Sequence, residues 1–78
     1  MKNSYTTKDF QLSAYLLAQG CRLLTHSKDN NVTTFIFEND IQTEKYINDY
    51  FNLKATVEPM AYANSQRALR SILNSATN

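Results

Sequence analysis

The most reactive side chains are Cys21 and His26, the only cysteine and the only histidine in the 78 residues. Brought together, such a pair serves as thiolate nucleophile and general base. Residues five apart on a strand point to opposite faces, so this spacing separates them. No hydrolase-type cysteine or serine motif surrounds either one, and His26 is expected to be an exposed strand or turn residue. One cysteine and one histidine fall short of a zinc ligand set. Glu38 and Asp40 stand beside a helix start, where negative charge balances the positive end of the dipole better than it builds a carboxylate metal site. A single glycine excludes a glycine-rich phosphate loop. Catalysis would require Tyr5, Asp9 and an arginine to be buried together. The expectation is therefore no catalytic residue, no metal and no cofactor.

Binding chemistry remains. Arg67 and Arg70, three apart on one helix, present two cations on a shared face, and with Lys54 and Lys28 they could touch phosphates or an acidic partner. Charge is uneven along the chain: residues 38–49 hold Glu38, Asp40, Glu44 and Asp49 against Lys45, whereas residues 54–78 hold Lys54, Arg67 and Arg70 against Glu58. The net charge is only +1, so no global field favours nucleic acid or an anionic membrane. The chain has five tyrosines, a residue with an apolar body and a polar tip that suits both core margins and interfaces. Tyr46, Tyr50 and Tyr62 fall on apolar helix arcs. Tyr15 falls on a polar strip, so Gln11, Tyr15 and Gln19 form the expected partner-binding surface.

The elements positioning these groups follow from periodicity. Thr6 or Thr7 can cap a helix from Lys8 to Gln19, stopped by Gly20, with Phe10, Leu12, Ala14, Leu16, Leu17 and Ala18 around most of its circumference. Residues 21–27 and 32–38 are rich in strand formers, and Asp29-Asn30-Asn31 can turn the chain between them without glycine. Val32, Thr34 and Ile36 share one strand face, and Thr33, Phe35 and Phe37 the other; both faces are partly apolar, so both are expected to be covered. Asn39 or Asp40 begins a helix to about Phe51 with Thr43, Tyr46, Ile47, Tyr50 and Phe51 inward, and Asn52 supplies a left-handed stop. Leu53, Ala55 and Val57 alternate as in a short third strand. Pro59 starts a last helix to about Asn74, with Ala61, Tyr62, Ala68, Leu69, Ile72 and Leu73 inward. The expected fold is α+β, a hairpin plus one short strand packed with three helices in the order α-β-β-α-β-α. It forms one domain over residues 1–78, with 1–5 and 75–78 frayed.

Tyr5-x-Thr7-x-Asp9-x-x-Leu12-x-Ala14-x-x-Leu17-x-x-Gly20, then Phe35-x-Phe37, then Asp49-Tyr50-x-Asn52-x-x-Ala55-x-Val57-x-Pro59 and Arg67-x-Leu69 run through nearly the whole chain. In order and spacing this set resembles a family of short bacterial and phage-associated proteins classed as a domain of unknown function. The resemblance implies a stand-alone domain carried by a mobile element, and it transfers no activity, substrate or catalytic residue.

A hydrophobic share of 42% with one glycine and one proline is a globular composition. A lone cysteine suits a reducing compartment, and no apolar run approaches the roughly 20 residues of a membrane span. The start also lacks a signal-peptide core, so a cytoplasmic location is expected. A core of this size leaves a small stability margin, which makes a homodimer burying more apolar surface a further expectation. Two functions fit: a non-catalytic protein-interaction module, as a phage or mobile-element factor acting on a host protein, or a small nucleic-acid-binding regulator using the basic helix face.

Overall fold

The computed structural model describes residues 4–75 as three strands and three helices. In chain order these are β1 (Ser4–Thr7), α1 (Phe10–Ala18), β2 (Leu23–Asp29), β3 (Val32–Glu38), α2 (Ile41–Phe51) and α3 (Pro59–Ser75). The α+β class and the count of elements are those expected, but one strand lies elsewhere. Residues 53–57 form no strand; the third strand is β1, ahead of α1, so the order is β-α-β-β-α-α. The reason lies in β3, the central strand of the antiparallel sheet β1-β3-β2: both its edges are taken. Tyr5 pairs with Phe37 and Thr7 with Phe35 on one side, and Leu23 with Phe37 and His26 with Phe35 on the other. Ala55 and Val57 still turn partly inward against the core, which explains their alternation without any ladder. Of the ends expected to fray, residues 4 and 5 belong to β1 and Ser75 closes α3, while 1–3 and 76–78 lie outside the described residues.

The hairpin turns at Asn30 and Asn31, with φ of 52° and 69°. Two consecutive positive φ values give the twist-matched turn that joins two-residue hairpins, and asparagine tolerates them. Cross-strand partners share a face, so Tyr5, Leu23, Phe35 and Phe37 look toward the helices and belong to the core. Thr6, Thr25, Ser27 and Val32 on the other face are exposed, and Thr34 and Ile36 are half-buried. Only one face is covered, against the expectation of two: all three helices pack on the Phe35 and Phe37 side.

Helix α1 is the centre of that layer, with Leu12, Ser13, Ala14, Tyr15 and Leu16 all buried. Its cap is Asp9 rather than a threonine: Oδ1 of Asp9 accepts from the Leu12 N–H at 3.1 Å, and Thr7 Oγ1 accepts in turn from the Asp9 N–H. The helix therefore starts two residues later than Lys8. Buried Ser13 satisfies its hydroxyl by donating to the Asp9 carbonyl at 2.8 Å. In α2 the cap is Asp40, whose Oδ1 accepts from the Thr43 N–H at 2.8 Å. Glu58 does the same for α3 through the Ala61 N–H at 2.8 Å, just ahead of Pro59. Two residues assigned to apolar arcs face outward: Ala68 on α3 and Phe51 at the end of α2. In their place Ser65 is buried beneath α3, a small side chain that permits close approach.

Candidate functional site

Helices α1 and α2 end in the same backbone arrangement, and the residues filling it differ. At the end of α1 the Gly20 N–H donates to the Leu17 carbonyl and the Cys21 N–H to the Leu16 carbonyl, both at 3.0 Å. At the end of α2 the Leu53 N–H donates to the Tyr50 carbonyl at 3.3 Å and the Lys54 N–H to the Asp49 carbonyl at 2.8 Å. Both are Schellman closures, which need a left-handed residue one past the cap. Gly20 meets that need at φ +91°, whereas Leu53 is forced to φ +60°. The left-handed conformation costs a side-chain-bearing residue about 1–2 kcal/mol.

Asn52, expected to be the left-handed stop, is instead the cap at φ −94°, and the strain falls on its neighbour. Leu53 gains nothing inside the domain in return, for it is 93% exposed. Phe51, 61% exposed, stands beside it, and Tyr50, Phe51, Leu53 and Ala55 line one shallow open concavity. Asp49 and Lys54, next in sequence to its lining residues, carry one charge of each sign. The apolar corner is thus electrically balanced.

Tyr15 is not a surface residue, contrary to the expectation drawn from its polar strip. It is 3% exposed, with its ring edge-on to Tyr46 at 6.2 Å and tilted against Tyr50 at 5.6 Å. Helix α2 covers the side of α1 that a single-helix projection leaves open. Burial raises the Tyr15 phenol above its ordinary pKa, and a hydrogen bond with Gln19 partly opposes this. Gln11 is exposed; Gln19 is half-buried and donates through Nε2 to the Thr56 carbonyl at 2.6 Å, tying the end of α1 to the segment after α2. Of the three, only Gln11 is fully on the surface. Tyr15 and Gln19 instead support the corner from beneath.

Lys54, Arg67 and Arg70 are all exposed. Arg67 donates to Asn64 Oδ1 at 2.6 Å, and the Arg70 guanidinium sits 5.6 Å from the centre of the Phe10 ring. Arg70 thus belongs with the start of α1, while Lys54 lies beside the apolar corner. His26 is exposed and Cys21 buried, and burial raises the Cys21 thiol's pKa, so the thiol stays protonated and weakly nucleophilic. Among the described residues no group of three or more His, Cys, Asp or Glu could hold a metal ion, and no helix is long and apolar enough to cross a membrane.

Sequence reasoning missed Leu53 as an exposed left-handed residue because its alternation with Ala55 and Val57 imitates a strand. A signal was present: the α2 pattern ends at Asn52 with no glycine to follow.

Comparison with curated proteins and with solved structures gave no match. A family model described as a domain of unknown function (DUF5659) matches residues 2–75, nearly the entire length, and the chain belongs to that family.

Proposed function

We propose that the chain is a non-catalytic protein-interaction module that contacts its partner through the apolar corner at the end of α2. The observation that supports this reading is Leu53: a leucine at φ +60° and 93% exposed, where glycine would close the helix without strain. Phe51 enlarges the patch, and aromatic anchors carry a large share of binding energy at interfaces. With Asp49 and Lys54 on its margins the corner suits another protein's apolar side chains better than a polyanion. The association with phages and mobile elements that the resemblance implies would make that partner a host protein.

A photo-crosslinking amino acid at position 53, compared with one at exposed Ser27 on the far face of the sheet, tests this in cells. The expected result is a discrete adduct from position 53 that Phe51→Ser abolishes. An adduct of twice the chain's mass identifies a second copy, the homodimer expected from the small core. No adduct, or the same adducts from both positions, overturns the reading.

A further inference from the structure

At the opposite end of α1 lies a second surface of different chemistry. A groove of about 260 Å³ is lined by Lys8, Phe10, Val32, Thr33, Phe35 and Leu73. That is below the roughly 300–1,000 Å³ of a small-molecule site, and it is open. Its floor is apolar: Phe35 is 1% exposed, and Phe10 and Leu73 are half-buried. Its rim is basic, and the sheet register shows why. Lys28 pairs with Thr33 and His26 with Phe35, so both lie on the sheet face that carries the groove, and both are exposed. Lys8 stands at the groove's edge, and Arg70 reaches the same place over the Phe10 ring, with Arg67 one turn earlier on α3.

Of the neighbouring acids, the Asp9 carboxylate caps α1, and Asp29, paired with Val32, stands at the groove's end beside the hairpin turn. An apolar, aromatic floor beneath a row of cations is the arrangement by which proteins hold single strands: bases stack while Lys and Arg follow the phosphates. A duplex would keep its bases from that floor.

We propose that this groove binds single-stranded nucleic acid, with Lys8, Lys28, Arg67 and Arg70 on successive phosphates and the bases turned toward the apolar floor. The site is distinct from the apolar corner and stands or falls independently of it. Four phosphate contacts to a single strand give a slope of log affinity on log salt of about −2.8, or about 50-fold weaker binding between about 50 and about 200 mM salt. Fluorescence anisotropy with labelled oligo(dT) and oligo(U) reads this directly.

Lys8→Ala with Lys28→Ala, and separately Arg67→Ala with Arg70→Ala, should each halve the slope, leaving about a 7-fold salt effect. Lys45→Ala with Lys54→Ala and Phe51→Ser should leave it unchanged. Circular dichroism of each variant separates lost binding from lost fold. No binding at about 50 mM salt, a slope that the groove variants do not alter, or equal affinity for duplex DNA overturns the proposal.

Discussion

The two helix ends joined by Gln19 and Thr56 use one hydrogen-bonding scheme to opposite effect. At the end of α1 every choice favours stability. Glycine takes the left-handed position, and Leu16 and Cys21, the residues that close the turn, are both buried. That apolar pair usually accompanies the closure. At the end of α2 the corresponding pair is Asp49 and Lys54, and the left-handed position holds an exposed leucine. One end is tuned for the domain's own folding, and at the other a local preference is overridden. Violations of local rules that gain nothing inside a fold are where functional contacts are to be sought.

The largest expected effect is at the layer joining the two ends. Tyr15→Ala should destabilise the domain by about 3–5 kcal/mol, as removal of a buried aromatic does, and Tyr15→Phe by far less. Denaturant unfolding measures both. A small loss for the alanine variant would return Tyr15 to the surface and undo the account of the corner's support. Next comes Gly20→Ala. A methyl there meets no atom within 4 Å, so its cost is backbone strain alone, about 1–2 kcal/mol. An unchanged unfolding midpoint would remove one side of the comparison.

Much of this fold was legible in the sequence because its strongest signals are local. The hairpin, its asparagine turn and the cores of all three helices follow from periodicity and turn chemistry. What was not legible depends on neighbours. Ser4–Thr7 is a four-residue edge strand whose stability comes from pairing with β3, and its threonines read equally well as caps. Residues 53–57 have a strand's alternation but no free edge of β3 to join. Tyr15 looks polar-facing on an isolated helix, and only the placement of α2 buries it. The basic groove was half visible: Arg67, Arg70 and Lys28 carry an evident charge, whereas grouping them with Lys8 requires the cross-strand register and the reach of Arg70 to Phe10.

The opposite sign is expected at the other helix end. Leu53→Gly relieves about 1–2 kcal/mol of left-handed strain and costs about 0.5–1 kcal/mol in added freedom of the unfolded chain. A net stabilisation of up to about 1.5 kcal/mol should appear as a higher unfolding midpoint. The same variant should lose the partner contact proposed at the corner, so stability rises as binding falls. A variant less stable than the parent would mean that the leucine serves the fold, and the contrast between the two ends would collapse.

The smallest effect concerns the start of α2, which sharpens the contrast within one helix: a well-capped beginning and a strained end. The Thr43 N–H bonded to the Asp40 carboxylate holds its pKa below the usual aspartate value. A carboxyl whose pKa is lower in the folded state contributes stability that is present above the unfolded value of about 3.9 and disappears as pH falls through the folded value. The parent should therefore lose this contribution on acidification below about pH 4. Asp40→Asn keeps a capping oxygen but cannot titrate, so it should show a shallower decline over that range with little change at neutral pH. Unfolding midpoints followed from neutral to acid pH decide it. Parallel profiles for the two proteins would show that the cap contributes nothing that depends on charge, and that its hydrogen bond alone holds the start of α2.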